Sequence, residues 1–305
     1  MVSFRKKILY FHIVRCEFYK KFHFKWIGIK HKARNILVKN KNLVNDLKGS
    51  EWKFSTKSVI SKAYPVNLQH KLRSEHGGQK PPNLCSDLIK IFTKKNNLVL
   101  DPLMGVGGTL IGASLINRKA IGIELSNKWI KIYQKVCKLE KIKVQKTILG
   151  NANEKLEEIK DESVDFILTD VPYWNVDQLK KTRGKRASIS KLSKFNSSKM
   201  QTKEEWLDDL YSIFEKCFQK LKNKKYMGVF IGDIYREKNY HILSAELANK
   251  ISTIENFTLK ANLIWFDQSK SLHVYGYPYS FVPSMIHQNI LIFKKEIIDD
   301  GTKNP

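Results

Sequence analysis

The chain reads Leu98-Val99-Leu100-Asp101-Pro102-Leu103-Met104-Gly105-Val106-Gly107-Gly108-Thr109, an apolar strand that runs into a glycine-rich turn. An apolar helical stretch follows at residues 110–116. Glycines at such a junction let the backbone approach a ligand, and they leave N–H groups at the helix start free to bind a carboxylate or phosphate. A second strand at 120–123 ends in Glu124, where folds of this kind hydrogen-bond ribose hydroxyls. The alternative for Glu124 is a helix-capping or solvated carboxylate.

Strands and helices alternate along most of the chain. Apolar strand-like runs occur at residues 98–100, 120–124, 144–149, 164–169 and 227–231. Helical patterns occur at 83–93, 109–117, 127–139, 154–159 and 203–221. A further helix at 240–254 precedes two strands at 259–266 and 289–293 that are joined only by a loop. This order predicts an α/β fold with a mostly parallel sheet, helices on both faces and an antiparallel strand pair at one edge.

A second motif, Asp170-Val171-Pro172-Tyr173, follows the apolar run at 164–168. Asp170 therefore falls where a buried parallel strand ends in a cleft. Its carboxylate and the Val171 carbonyl can each accept one N–H bond from a planar exocyclic amine, and Tyr173 can stack on the base. Pro172 favours extended geometry at the residue before it, which helps to aim that carbonyl. The alternative interpretation of the tetrapeptide is an ordinary strand-to-turn exit.

Together the two motifs resemble the amino-group DNA methyltransferases, which transfer a methyl group from S-adenosylmethionine to N6 of adenine or N4 of cytosine. The matching segments are His76-Gly77-Gly78-Gln79-Lys80-Pro81-Pro82, residues 101–109, Gly122-Ile123-Glu124, Gly150-Asn151-Ala152 and residues 170–175. The resemblance runs from about residue 45 to residue 295 and implies a Rossmann-like methyltransferase fold. Two positions depart from the family pattern, since Val171 replaces the usual first proline and Asn151 stands where Asp is common.

The resemblance also implies a role for individual residues. It assigns cofactor binding to Lys80, Pro81, Asp101, Pro102, Gly105, Gly107, Thr109, Glu124 and Asn151. It assigns catalysis to Asp170, Val171, Pro172 and Tyr173, with no metal. The implied function is site-specific methylation of an extruded base in double-stranded DNA, and Asp rather than Ser at position 170 favours N6 of adenine over N4 of cytosine. The motifs also fit an RNA methyltransferase or a catalytically silent DNA-binding relative.

The charge of the chain agrees with a nucleic-acid partner. Lys and Arg number 55 against 29 Asp and Glu, a formal charge of +26, and such a field attracts phosphate backbones. Biased use of Lys is an alternative source of the excess. A basic loop inserted at 176–202 is predicted to clamp DNA, or else to be merely solvated, and its candidate contacts are Lys180, Lys181, Arg183, Lys185 and Arg186.

The remaining features set boundaries and exclude some classes of protein. We expect a basic extension at 1–44, a catalytic domain at 45–295 and a tail at 296–305. The apolar run at 8–14 is too short for a signal peptide or a membrane span, and the four cysteines form no C-x-x-C pair, which favours a reduced cytoplasmic protein. A cognate restriction endonuclease is a candidate partner. The aromatic loop at 272–283 is expected either to line the pocket for the flipped base or to pack against the sheet edge.

Overall fold

The computed structural model describes residues 42–174 and 201–298. Its strands are β1 (Val59–Ile60), β2 (Leu98–Asp101), β3 (Lys119–Glu124), β4 (Lys146–Leu149), β5 (Val164–Asp170), β6 (Leu221–Ile231), β7 (Ile234–Arg236), β8 (Asn239–His241), β9 (Phe257–Phe266) and β10 (His287–Lys295). Its helices are α1 (Gly49–Ser55), α2 (His70–Arg73), α3 (Pro82–Phe92), α4 (Gly108–Leu115), α5 (Asn127–Leu139), α6 (Ala152–Lys155), α7 (Lys203–Lys220) and α8 (Leu243–Ile251). A 3-10 turn, Leu156–Glu158, follows α6.

Eight strands form the central sheet in the order β1-β9-β10-β6-β5-β2-β3-β4. The five strands from β6 to β4 are parallel, whereas β10 runs antiparallel to both β6 and β9. The two-residue β1 pairs with β9 at the outer edge, and β7 and β8 form a separate hairpin. This topology confirms the predicted fold class, including the antiparallel pair near one edge.

Two layers of helices cover the sheet, and β5 contributes side chains to both. Phe166 and Leu168 pack in the apolar layer that contains residues of α3, α4 and α5. Ile167 points into the layer that contains residues of α7 and α8. Alternation of this kind follows from the two-residue repeat of a strand, and it explains why β5 is buried along nearly its whole length. Among the described residues, no helix is long and apolar enough to cross a membrane.

Several boundaries differ from the sequence predictions. The helix predicted at 240–254 is wrong at its start, because the backbone there pairs in the β7–β8 hairpin, with Tyr235 opposite Tyr240, and α8 begins only at Leu243. The strand predicted at 227–231 begins at Leu221, which pairs with Val164 of β5, and regular pairing with β5 and β10 resumes at Tyr226 after a register irregularity. The helix predicted at 154–159 is split into α6 and the 3-10 turn. In contrast, α5 has the predicted bounds.

The parallel strands place three acidic residues at one edge of the sheet. Asp101, Glu124 and Asp170 are the last residues of β2, β3 and β5, which are neighbours in the order β5-β2-β3. Since the carboxyl ends of parallel strands meet at the same edge, the three carboxyl groups face one region of the molecule.

Candidate active site

The carboxyl ends of β2 and β5 open into a cleft. Its walls come from the segment before α3, from the turn after β2 and from the ends of β5 and β6. The lining residues are His76, Gly78, Gln79, Lys80, Asp101, Leu103, Met104, Gly105, Val106, Gly108, Thr109, Asp170 and Phe230. The structure thus brings together the glycine turn, the Lys80 segment and the first residue of the tetrapeptide.

The glycine turn is packed closely against its neighbours. Gly105 and Gly107 have φ angles of +52° and +73°, in the left-handed region that favours glycine. A Cβ added to Gly107 would overlap the ring of Tyr133 in α5, and one added to Gly108 would lie 2.9 Å from the Lys80 carbonyl oxygen. These close approaches explain why residues 107 and 108 are both glycine.

Glu124 ends β3 as a largely buried carboxylate. The Gly105 N–H donates to Oε2 at 2.9 Å and the Ser126 N–H donates to Oε1 at 2.8 Å. Burial raises the pKa of Glu124 to about 7. Each carboxylate oxygen keeps a second lone pair for another donor, such as a ribose hydroxyl. Because Ser126 is the N-cap residue of α5, Glu124 also supports the start of that helix.

Asp101 ties the glycine turn to β5. The Thr169 hydroxyl donates to its Oδ1 at 2.8 Å, and the Leu103 N–H donates to the same oxygen at 3.1 Å. Burial raises the pKa of Asp101 to about 6. Thr109, at the start of α4, donates to the Leu168 carbonyl at 3.3 Å. These bonds fix the turn over the end of β5, so Asp101 and Thr109 hold the shape of the cleft that they line.

Asp170 and Lys80 form a buried ion pair in the cleft. The Lys80 ammonium donates to Oδ2 of Asp170, and it lies 5.5 Å from the centroid of the Phe230 ring. The other oxygen, Oδ1, is buried and has no hydrogen-bond partner among the described residues. Burial raises the pKa of Asp170, and the neighbouring Lys80 opposes that rise. The carboxylate therefore presents one occupied oxygen and one open oxygen.

The rest of the tetrapeptide is held by backbone and ring contacts. The Val171 N–H donates to the Phe230 carbonyl at 3.3 Å, and the Pro172 carbonyl accepts from the Trp206 indole at 2.8 Å. The Tyr173 hydroxyl accepts from the Gln288 amide at 2.8 Å. A chain segment fixed at each of these positions cannot swing freely, so the peptide after Asp170 has a defined orientation.

A sequence profile of the family described as DNA methylase matches residues 2–135 and 164–298 of this chain. This chain belongs to the N6/N4 DNA methylase family. The resemblance inferred from the sequence motifs is confirmed, and S-adenosylmethionine is the cofactor of this family.

Individual relatives match shorter segments of the chain. It is 34% identical over 118 residues to a tRNA (guanine(10)-N2)-dimethyltransferase of Methanocaldococcus jannaschii, covering 36% of this chain and 33% of that protein. It is 42% identical over 62 residues to the Type II methyltransferase M.HindIII of Haemophilus influenzae, covering 20% of each. The chain thus spans between a fifth and a third of the length of these relatives. Among solved structures it is similar to TrmN from Thermus thermophilus, with a TM-score of 0.49 and 12% identity over 77% of this chain and 54% of that one.

In this DNA methylase chain the Lys80 segment is anchored by Arg73, which sequence analysis did not single out. The Arg73 guanidinium is buried, and it donates to the Lys80 carbonyl at 3.3 Å and to the Gln79 side chain at 2.9 Å. Two further bonds reach the carbonyls of Asn67 and Leu68. Pro81 follows Lys80 as the N-cap residue of α3. A buried arginine with four such bonds fixes where Lys80 enters the cleft.

His76 is a neutral side chain in the wall of the cleft. Burial lowers the pKa of its imidazole to about 4, so the ring carries no charge at neutral pH. The ring meets the edge of Trp129 at 5.0 Å between centroids, and its Nδ1 accepts from the Gly78 N–H at 3.3 Å. A neutral ring adds no positive charge beside Lys80.

Two residues near the tetrapeptide were also missed by the sequence analysis. Lys270, from the loop after β9, interacts electrostatically with Lys80 and Asp170, and burial lowers the pKa of its ammonium. Gln288, on β10, is buried and contacts Tyr173, while its own Oε1 has no hydrogen-bond partner in the described part of the chain. No pattern in the sequence marks either position, because both reach the site from strands and loops far along the chain.

Other predicted site residues lie elsewhere or outside the described ranges. Asn151 follows β4 and caps α6, with its side-chain oxygen accepting from the Asn153 N–H at 2.9 Å, and it does not line the cleft. Pro102 lies in the turn directly after Asp101. The predicted DNA contacts at 180–186, together with the extension at 1–41, fall outside the described residues.

Proposed function

We propose that the chain is a site-specific DNA methyltransferase that acts on the exocyclic amine of a base swung out of the duplex, with N6 of adenine as the favoured target. One observation supports this proposal most directly: Oδ1 of Asp170 is buried and has no hydrogen-bond partner within residues 42–174 and 201–298. Leaving a buried acceptor without a donor is unfavourable, so such an atom in a ligand cleft calls for a donor that arrives with the substrate. An exocyclic amine carries two N–H donors and meets that need.

The same geometry suggests how the amine is held. One amine hydrogen would bond to Oδ1 of Asp170, and the other would bond to the Val171 carbonyl. Two fixed acceptors favour a pyramidal nitrogen, whose lone pair is then available for reaction, and they do so without reorganising at that moment. Tyr173 would support the flat base by stacking, while its hydroxyl stays tethered to Gln288.

The cleft and the residues beside it have the groups that S-adenosylmethionine needs, although Glu124 is bonded to Gly105 of the lining and is not itself a lining residue. When bound, this cofactor supplies an electrophilic methyl group on a positively charged sulfur. Glu124 offers open lone pairs for the ribose hydroxyls, and the close packing of Gly108 against Lys80 leaves the backbone within reach of a ligand. Lys80 was expected to bind the cofactor. Its pairing with Asp170 adds a second role, which is to keep that carboxylate ionised and in place.

The amine chemistry of the site does not distinguish between adenine and cytosine as the target base. Asp at position 170 favours adenine by family habit, and N4 of cytosine is the alternative because its amine presents the same two donors. A second candidate function is methylation of an RNA amine. It is supported by the 34% identity over 118 residues to a protein named as a tRNA methyltransferase, a longer match than the one to M.HindIII.

Expression in a host without DNA methylation tests these possibilities together. Single-molecule sequencing of the host DNA would reveal modified bases, their identity and the sequence around them, and nucleoside analysis of the host RNA would reveal any methylated RNA base. We expect N6-methyladenine at one recurring DNA motif. Unmodified DNA accompanied by a new methylated nucleoside in RNA would replace the proposal with its RNA alternative.

Asp170→Ala is the matching active-site variant. We expect it to abolish methylation while S-adenosylmethionine binding stays nearly intact, because the cofactor is held mainly by other segments. Asp208→Ala is a suitable control, since Asp208 is an exposed carboxylate on α7 that forms a salt bridge with Lys250. Retained methylation in Asp170→Ala would contradict the proposed role of that carboxylate.

The proposed partners follow from the same function. Double-stranded DNA is the proposed substrate, with the basic residues at 180–186 as its proposed phosphate contacts. The similarity to M.HindIII, a Type II methyltransferase, supports a cognate restriction endonuclease as a further candidate partner. Protection of DNA isolated from the expressing host against restriction enzymes that cut at the mapped motif would test this pairing.

A further inference from the structure

The loop between β9 and β10 forms a compact hairpin, here called the aromatic hairpin, at residues 272–283. Tyr275 and Val282 pair across it as an antiparallel bridge. The N–H groups of Tyr279 and Ser280 both donate to the Gly276 carbonyl at 2.8 Å, which closes the turn. Gly276 has a φ of +74°, and a Cβ there would overlap Ser280, so the turn requires glycine. The hairpin is held by its own bonds.

The tip of the aromatic hairpin carries its rings in solvent. Tyr277, Tyr279 and Phe281 are 77%, 94% and 88% exposed. Leu272 and Val274 on the same hairpin are exposed as well. From the sequence, this loop was expected either to line the pocket for the flipped base or to pack against the sheet edge. In the structure, the side chains at its tip do neither. A cluster of exposed apolar side chains of this kind marks an interaction surface.

Both ends of the aromatic hairpin lead into the catalytic cleft. On one side Lys270 interacts electrostatically with Asp170, and its ammonium donates to the Met285 carbonyl at 3.4 Å across the base of the loop. On the other side Gln288 binds the Tyr173 hydroxyl at 2.8 Å. The exposed rings are therefore carried by a segment that binds Tyr173 at one end and interacts electrostatically with Asp170 at the other.

The charge around the aromatic hairpin favours nucleic acid over another protein surface or a lipid. No acidic residue occurs between Asp267 and Glu296, whereas Lys270, His273 and His287 lie in that stretch. Uncharged rings on a segment without carboxylates suit stacked bases beside phosphates, which a carboxylate would repel, and base stacking on aromatic side chains tolerates any sequence. The strongly positive charge of the whole chain acts in the same direction.

We propose that the aromatic hairpin inserts Tyr277, Tyr279 and Phe281 into the DNA duplex beside the target nucleotide, where the rings stack on the bases left behind by the extruded one. This inference rests on the proposed function. It assigns the hairpin a distinct task, which is to stabilise the opened duplex. Asp170 and Val171 bind the amine of the extruded base, while the aromatic hairpin fills the space that this base leaves in the duplex.

The test uses the full chain and two duplexes that contain the mapped methylation motif. One duplex is fully paired, and the other has an abasic site opposite the target base, so that no base pair has to be broken. The variant carries Tyr277→Ser, Tyr279→Ser and Phe281→Ser together. A conservative variant carries Tyr277→Phe and Tyr279→Phe, and Phe54→Ser in α1 serves as a control because it removes an exposed ring from another surface.

We expect the serine variant to lose at least about fivefold in kcat/KM on the paired duplex, the lower end for loss of one base–aromatic stack, and clearly less on the abasic duplex. The phenylalanine variant and Phe54→Ser should stay near wild type, and S-adenosylmethionine binding should be unchanged in all of them. Retained affinity for the cofactor also shows that the serine variant is folded.

Several outcomes would overturn the inference. Equal losses on both duplexes, or no loss on the paired one, would show that the rings do not stabilise the opened DNA. A wild-type dimer in sedimentation that the serine variant cannot form, with unchanged turnover, would assign the surface to a second copy of the chain. If the wild-type protein methylates no DNA at all, the proposed function fails and the inference fails with it, whereas methylation that is insensitive to the serine variant removes the hairpin proposal alone.

Discussion

Lys80→Met is expected to destabilise the protein in a pH-dependent way, because it removes the cation from the buried pair with Asp170. Methionine has about the volume of the lysine stem, so the change mainly removes charge. Loss of one partner from a buried ion pair costs about 3–5 kcal/mol of unfolding free energy while the other partner stays charged. That range is the upper limit for the variant, since Asp170 can also take up a proton.

The sign of the pH dependence follows from the pKa of Asp170. Burial already raises this pKa, and Lys80 opposes the rise, so the folded variant binds the proton more tightly than the wild type does. At about pH 3, below the ordinary aspartate pKa of about 3.9, the carboxyl is protonated in both the folded and the unfolded variant, and little stability is lost. As pH rises, the unfolded chain releases its proton first, and the destabilisation grows by at most about 1.4 kcal/mol per pH unit.

Urea unfolding of wild type and variant at pH 5, 7 and 8.5 measures this difference. Lys80→Arg should remain close to wild type because it keeps the charge. Lys62→Met removes an exposed cation from an exposed carboxylate, Asp87, and should cost at most about 1 kcal/mol. The reasoning is refuted if Lys80→Met loses less than about 1 kcal/mol at pH 8.5, or if its loss is the same at every pH.

The remaining predictions concern the cofactor, Tyr173 and DNA. Glu124→Ala should weaken S-adenosylmethionine binding by about 1.5–3 kcal/mol, as measured by calorimetry. The affinity of the wild type should fall as pH drops below about 7, where Glu124 becomes protonated. If neither the substitution nor the pH changes the measured affinity, Glu124 only caps a helix. Gln288→Leu should lower kcat without changing cofactor affinity, because Tyr173 loses a donor, and wild-type turnover would contradict this. Neutralising Lys181, Arg183, Lys185 and Arg186 together should weaken binding to all DNA sequences alike. The slope of log affinity against log salt concentration should become shallower by about 0.9 for each phosphate that is no longer bound. An unchanged slope would point to the N-terminal extension as the DNA contact.

Local sequence patterns were sufficient to predict most of the sheet. The strands β2, β3 and β5 contain short apolar runs bounded by turns. Such runs are typical of the strands of a parallel sheet that is covered on both faces. The pattern failed where polar residues form strands. Lys222 and its neighbours have the composition of a loop, yet the ammonium of Lys222 pairs with Asp165 at 2.8 Å, and β6 extends through them.

The candidate site could be predicted in outline but not in its contacts. The end of a parallel strand fixes where Asp170 must lie, and this is why one motif was enough to place it. Its partner Lys80 lies 90 positions earlier, and Gln288 lies 115 positions after Tyr173. Separations of this size carry no local signal in a single sequence. The sequence predicts which residues lie at the carboxyl edge of the sheet, whereas only the folded structure shows which of them are in contact.

The cleft concentrates acidic groups in a way that stability alone would disfavour. Asp101, Glu124 and Asp170 end three adjacent strands, and burial raises the pKa of all three. Within the described residues, Lys80 is the ammonium bonded directly to one of them, and the neutral His76 adds no further charge. Asp101 and Glu124, which have no ammonium bonded to them among the described residues, favour a positively charged ligand, because such a ligand restores their ionised forms. S-adenosylmethionine, with its cationic sulfur, is a ligand of this kind. The product of methyl transfer has a neutral sulfur and is attracted less strongly, and this difference in attraction would favour product release.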